Sequence, residues 1–250
     1  MKLFALIGYP LTHSFSKKYF TEKFKNEGIE GCRYELLELP NCQDFPKLLT
    51  SNPNLVGLNV TIPHKQNVIP FLDELDKTSA ARIGAVNTIK VLPNGKLKGY
   101  NTDYYGFRIS LENWLQQLSL SPKNLKALVL GNGGAAKAVR TTLEDLTIDF
   151  KIVSRQCTEN TIEYSDLNEQ IMTTHYLIIN TSPVGTYPNI EESPASPYHL
   201  LTEKHLLYDL VYNPAETLFL KKGMEHKANT HNGLAMLQLQ AEKAWEIWNS

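Results

Sequence analysis

The sequence predicts an α/β protein of two domains, each built on a mainly parallel sheet. Short apolar runs alternate with segments of helical period along the whole chain. The alternation restarts once, where an apolar run enters Gly131-Asn132-Gly133-Gly134-Ala135-Ala136. The 250 residues are 42% hydrophobic and 20% charged, which suits one large or two smaller packed cores and excludes wholesale disorder.

Residues 2–9 form an apolar run closed by Pro10, a buried strand. Residues 17–26 put Tyr19, Phe20 and Phe24 on one helical face before Gly28. Residues 33–39 read as a second strand, 45–49 as a helix and 55–60 as a third strand. Short helices follow over 69–75 and 77–83, then strands over 85–91 and 96–100 around the turn Pro93-Asn94-Gly95. This β-α-β-α-β opening favours parallel strands joined by crossover helices. An amphipathic helix over 104–118 and a linker over 119–124 lead to a new strand over 126–130. The second series continues with the glycine loop, a helix to Leu146 and strands over 149–153, 176–180 and 206–210. Residues 182–198, rich in Pro, Ser and Tyr, form a long loop of the kind that serves a site. A helix over 232–248 closes the chain, and the domain boundary falls near the helix after Asp103.

Lys and Arg total 25 against 26 Asp and Glu, a net charge of -1. Such balance supplies no field to gather nucleic acid or anionic lipid. No apolar run approaches the ~20 residues of a bilayer span, and MKLFALIGYPLTHS turns polar too soon for a signal peptide. Cys32, Cys42 and Cys157 form no CxxC pair, and the histidines show no HExxH pattern. The thiols are therefore expected to be reduced and structural, with no metal site, in a cytoplasmic protein.

The glycine loop fits G-x-G-x-x-G/A with Ala136 in the third slot, between a readable strand and a readable helix. Gly131 permits the tight turn, Gly133 lets the backbone approach a pyrophosphate, and Ala136 allows close packing of helix on strand. The helix amides face the phosphates. The second half is thus a Rossmann-like dinucleotide-binding domain. Its next strand ends in Ser154-Arg155-Gln156, with no carboxylate to hold a ribose hydroxyl. Ser154 and Arg155 can bind a 2′-phosphate, so NADP is favoured over NAD.

The first half carries four polar segments, each read as lying at a strand end or in the loop after it. They are His13-Ser14-Phe15-Ser16, Asn59 to Lys65, Gly84 to Thr88, and Gly99 to Asp103. The carboxyl ends of parallel strands form the ligand crevice of an open α/β sheet. Convergent Ser, Thr, Asn, Lys and Asp suit a small, neutral-to-anionic molecule bearing several hydroxyls.

NVTIPHK, GAVNT, YNTD, the GNGGAA loop and the closing NGLAMLQLQA together resemble the shikimate dehydrogenases, in order and over nearly the whole chain. The resemblance implies a substrate domain over 1–103 plus 234–250, an NADP domain over 104–233, and a final helix that returns to the first domain. It implies NADP-linked interconversion of 3-dehydroshikimate and shikimate in chorismate and aromatic amino-acid biosynthesis, by a monomer or homodimer. By resemblance, Ser14 and Ser16 hold the substrate carboxylate, with Tyr212 assisting. Asn59, Thr61, Asn87 and Gln240 contact ring hydroxyls or carboxylate, and Lys65 and Asp103 match the catalytic pair. The cofactor set is Gly131, Asn132, Gly133, Gly134, Ala135, Ser154 and Arg155, with Leu210 and Gly233 beside the nicotinamide. The chain departs from the family at Lys17, where many members have Pro, and at Tyr104 and Tyr105, where Gly is usual. Its basic patch is reduced to Ser154-Arg155-Gln156, with Glu159 near the second basic position. An NAD-linked quinate/shikimate dehydrogenase and a non-catalytic cofactor-binding sensor are the alternative readings, which turnover separates.

Overall fold

The first strand is apolar throughout because both its faces are covered. β1 (Lys2–Gly8) turns Leu3, Ala5 and Ile7 into one core with Phe45 and Leu58. Phe4 and Leu6 face the other way, against Phe20, Phe24, Tyr34 and Trp248. The structure, a computed structural model, describes residues 1–11, 14–156 and 158–250. His13 of the first polar segment and Cys157 lie outside the described residues. The chain divides into two units, Met1–Thr102 with Ala241–Ser250, and Asp103–Gln240. Among the described residues no helix is long and apolar enough to cross a membrane.

In the first unit β1 is followed by α1 (Phe15–Asn26), β2 (Cys32–Glu38), α2 (Phe45–Ser51) and β3 (Leu55–Val60). β1 lies between β2 and β3 and is parallel to both. Then come α3 (His64–Asn67), β4 (Glu74–Leu75), α4 (Ala80–Ile83), β5 (Thr88–Val91) and β6 (Leu97–Tyr100). β5 runs antiparallel to β3 and to β6, while β4 is parallel to β6. The sheet order is β2-β1-β3-β5-β6-β4.

Two expected helices differ here. The segment 69–75 holds only a 3-10 turn, Ile69–Phe71, followed by β4. Pro70 lacks an amide donor, and β6 offers the chain a partner: Asp73 and Asp76 amides donate to the Leu97 and Gly99 carbonyls. The helix over 77–83 shrinks to α4. Asp76 Oδ1 accepts from the Ser79 amide and hydroxyl and from the Thr78 hydroxyl, a side-chain turn that competes with helix.

In the second unit α5 (Thr102–Gln117), whose first residue still belongs to the first unit, leads to β7 (Lys126–Leu130), α6 (Gly134–Asp145) and β8 (Asp149–Ser154). Next are β9 (Thr161–Glu163), α7 (Glu169–Met172), β10 (Leu177–Asn180), β11 (Leu206–Asp209), α8 (Leu218–Glu225), β12 (Asn229–His231) and α9 (Leu234–Asn249). The order is β12-β11-β10-β7-β8-β9, every pair parallel. β7 is the first strand of this unit and lies at its centre. The chain winds outward on one side through β8 and β9, then on the other through β10 to β12. That reversal between β7 and β10 is the switch point of a doubly wound sheet, where ligands bind beyond the carboxyl ends. β7 is again apolar on both faces: Ala127 and Val129 enter one core, Leu128 and Leu130 the other. β9, α7, α8 and β12 have no counterpart in the sequence reading.

Candidate active site

In the first unit, antiparallel β5 brings the end of β3, its own start and the end of β6 to one sheet edge. Asn59 at the end of β3 pairs with Thr88 at the start of β5, and Thr88 pairs with Tyr100 at the end of β6. The GAVNT segment thus precedes its strand rather than ending it. It reaches the same edge because β5 runs the opposite way.

A buried hydrogen-bond network organises this edge. The Tyr34 hydroxyl donates to Asn59 Oδ1 at 2.7 Å, and Asn59 Nδ2 donates to Thr88 Oγ1 at 3.3 Å and the Asn87 carbonyl at 3.4 Å. Asn87 Oδ1 accepts from the Thr102 amide at 2.6 Å and from the Thr88 and Thr102 hydroxyls, each at 3.2 Å. These bonds turn the amide oxygen of Asn87 inward. They also fix the first residue of α5, and Asp103 is the next residue, in that helix's first turn. Asn101 is held by its side-chain donation to the Ala85 carbonyl at 3.0 Å.

Burial raises the Tyr34 pKa, and the neighbouring Ser16 hydroxyl partly offsets that. Ser14 is the N-cap of α1, its Oγ accepting from the Lys17 amide at 3.4 Å. Lys17 itself pairs with Glu35 at 2.8 Å. Thr61 follows β3, its amide bonded to the Ile7 carbonyl. Lys65 lies in α3, half-buried, with its carbonyl accepting from the Val86 amide at 2.7 Å. Asn59 thus stands in β3 and Asn87 just before β5, Thr61 follows β3, Lys65 lies in α3 with its carbonyl tied beside Asn87, and Ser14 and Ser16 open α1. Tyr34, Thr88 and Thr102 organise Asn59 and Asn87 and were not singled out from sequence. Tyr34 reads there as a core strand residue, whereas Thr88 and Thr102 stand inside the quoted GAVNT and YNTD segments.

Asp103, Tyr212 and Gln240 belong to the second unit. Asp103 is half-buried, Tyr212 exposed, and Gln240 buried in α9 with Nε2 donating to the Leu237 carbonyl at 3.0 Å.

The glycine loop lies at the switch point. Gly131 follows β7 at φ +106°, a conformation open to glycine, and its amide donates to the Val153 carbonyl of β8 at 2.8 Å. Gly133 caps α6, whose first turn carries no acidic side chain. A Cβ at Gly133 or Gly134 would meet nothing within 4 Å, so the space before the helix amides is open. Asn132 is exposed, Ala135 half-buried and Ala136 fully buried. These features fit a dinucleotide pyrophosphate. Ser154 ends β8, its Oγ accepting from the Gln156 amide at 3.4 Å. Arg155 is exposed, and it lies near enough to Tyr164 to lower that hydroxyl's pKa against the larger, raising effect of burial.

Beyond β11 the chain is held from several sides. The Leu210 amide donates to the Asn180 carbonyl at 3.0 Å, and the Gly233 amide to the Val211 carbonyl at 3.1 Å. A Cβ on Gly233 would fall 2.0 Å from the Leu210 carbonyl oxygen, so only glycine permits this approach. Leu210 and Gly233 thus form one ledge. Among the described residues no group of three or more His, Cys, Asp or Glu side chains could hold a metal ion.

A family model described as the shikimate dehydrogenase substrate binding domain matches residues 6–89. A protein of Clostridium beijerinckii named shikimate dehydrogenase (NADP(+)) is 41% identical, over 99% of this chain and 92% of that protein. A chorismate mutase/shikimate 5-dehydrogenase fusion protein from Clostridium acetobutylicum superposes with TM-score 0.88 at 36% identity, covering 100% of this chain and 91% of that one. Shikimate 5-dehydrogenase from Thermus thermophilus, in complex with NADP(H) and shikimate, gives TM-score 0.84 at 30% identity, over 99% and 93% of the two chains. The chain belongs to the shikimate dehydrogenase family.

Proposed function

We infer that the chain is an NADP-dependent shikimate dehydrogenase, reversibly reducing 3-dehydroshikimate to shikimate with NADPH in chorismate and aromatic amino-acid biosynthesis. The observation that carries this is near-full-length similarity to dehydrogenases named for NADP(+). We propose residues 1–103 with 234–250 as the substrate domain and 104–233 as the cofactor domain. Bound NADPH supplies the hydride. As the ketone is reduced, negative charge gathers on its oxygen, where the Lys65 ammonium stabilises it and gives the proton. Asp103 is the second member of the proposed catalytic pair. With its oxygen occupied by Thr88 and Thr102, the Asn87 amide serves the substrate as a donor through its nitrogen. Thr61, Asn59 and Gln240 complete the contacts to hydroxyls and carboxylate.

The substrate carboxylate is held by Ser14 and Ser16, with Tyr212 assisting. Ser14 accepts from the Lys17 amide, a bond that leaves its own proton for the substrate. The pyrophosphate rests on residues 131–135, Ser154 and Arg155 take the 2′-phosphate, and Leu210 with Gly233 receives the nicotinamide. Mixing the protein with shikimate and NADP+ and following the absorbance of reduced nicotinamide tests the reading. Turnover is expected, and its absence with both NADP+ and NAD+ overturns it.

A further inference from the structure

Asp209, the last residue of β11, is fully buried and makes no ion pair among the described residues. Its Oδ1 accepts from Asn180 Nδ2 at 2.9 Å and from the Val211 amide at 3.0 Å, and its Oδ2 accepts from the Thr217 hydroxyl at 2.5 Å. One carboxylate thereby joins three places: the end of β10, the chain after β11, and the N-cap of α8, where Thr217 Oγ1 also accepts from the Leu220 amide. Asn180 is fixed in turn, its Oδ1 accepting from the Ser182 amide and hydroxyl at 3.0 and 2.7 Å. The ledge of Leu210 and Val211 is therefore clamped by Asn180 at one amide, Asp209 at the next, and Gly233 behind.

We propose that Asp209 is a positioning residue for the nicotinamide half of the cofactor, acting through the Val211 amide to hold the Leu210 backbone in place. The inference rests on the placement of Leu210 beside the nicotinamide under the proposed function. Burial pushes the Asp209 pKa up to about 6, which outweighs the lowering by its three donors, so keeping it ionised costs folding energy. What the carboxylate provides is geometry: as a pure acceptor it satisfies three donors that no apolar side chain could satisfy.

The test compares two probes by calorimetric titration without substrate. One is NADP+, and the other is 2′-phosphoadenosine diphosphoribose, which lacks the nicotinamide ring. Asp209→Ala is expected to raise the Kd for NADP+ about tenfold, one step of 1.4 kcal/mol, while leaving that for the fragment unchanged. Asp209→Asn, which keeps an acceptor for the Val211 amide, should restore most of the NADP+ affinity. Should Asp209→Ala fail to fold, Thr217→Val against Thr217→Ser asks the same question, with the valine variant alone losing affinity for NADP+. Equal losses for both probes, or no loss for either, overturn the inference. A wild-type protein that binds neither probe overturns the cofactor reading itself, and the positioning role falls with it.

Discussion

Replacing Lys65 with alanine removes one ammonium from the edge where Asn59, Thr61 and Asn87 also stand. Its proposed work is on charge that develops only as the ketone is reduced, so the loss belongs in kcat rather than KM. Steady-state assays should show kcat lower by roughly 10²–10³, with the KM for shikimate little changed. A near wild-type kcat removes Lys65 from the mechanism. Asp209 gives a second residue-scale expectation, in stability against pH. Its folded pKa of about 6 stands above the unfolded 3.8, so the native state binds its proton more tightly. That contribution is fully present below pH ~4 and is lost as pH rises through ~6; the shift corresponds to about 3 kcal/mol. Tyr198 also senses this charge, but its own hydroxyl stays neutral throughout the window. Urea unfolding of wild type and Asp209→Asn from pH 4 to 7 should show the variant gaining on wild type as pH rises. A constant difference would mean that Asp209 does not titrate there.

Among the elements, α9 is tied to α1 by a small charged cluster. Lys23 is buried, and its ammonium donates to Glu242 at 2.8 and 3.0 Å and to Glu27 at 2.7 Å, while the Tyr19 hydroxyl also donates to Glu242. Burial alone would raise the Glu242 pKa, but these donors outweigh it and hold the group below the usual range. Its stabilisation is therefore present above the unfolded pKa of 4.5 and is lost as pH falls through the folded value. Glu242→Gln should cost about 1 kcal/mol at neutral pH, a small figure because Glu242 is half-exposed and Lys23 keeps Glu27. The cost should shrink toward pH 3, and an undiminished cost there would deny the cluster its electrostatic character. The elements carrying such ties differ in how plainly the sequence shows them. β1 and β7 are legible because both faces are buried and the apolar run is continuous. Three-residue β9 and β12 are not, since their strand character comes from the neighbours they pair with. The turn at Asp76 and the pairing of β4 with β6 override helical period over 69–79 by tertiary hydrogen bonds that no local pattern encodes. The candidate site follows the same division. Segments such as GAVNT and the glycine loop can be read directly, but the direction of β5 cannot, and neither can the role of Tyr34 beneath Ser16 and Asn59. Asp209 looks like an ordinary strand-end acid until Asn180 and Thr217 are brought to it.

On the scale of the whole molecule, each unit has its own six-stranded sheet and its own cores, so the two binding functions should be separable by mutation. Ser14 and Ser16 stand in the first unit, Arg155 in the second. The double variant Ser14→Ala/Ser16→Ala should weaken shikimate binding and leave the Kd for NADP+ where it was. Each lost bond to a charged group costs roughly 1.5–3 kcal/mol, or about 10- to 150-fold in affinity. Arg155→Ala should do the reverse. It is the only cation in the short stretch from Ser154 to Asn160, so it carries most of the charge that separates a 2′-phosphate from a hydroxyl. Its exposure allows solvent and salt to screen that charge, which places the expected rise in KM for NADP+ near the low end, about tenfold. The KM for NAD+ should barely change, and shikimate binding without cofactor should not change at all. Glu159, in the same stretch, opposes the anion and should keep the wild-type preference for NADP+ modest. Steady-state kinetics with both cofactors, beside calorimetry with shikimate alone, read all of these quantities on one set of proteins. If Arg155→Ala loses NAD+ and NADP+ equally, Arg155 supports the adenosine site without reading the phosphate. If the serine variant loses NADP+ as heavily as shikimate, the assignment of Ser14 and Ser16 to the substrate rather than the cofactor fails.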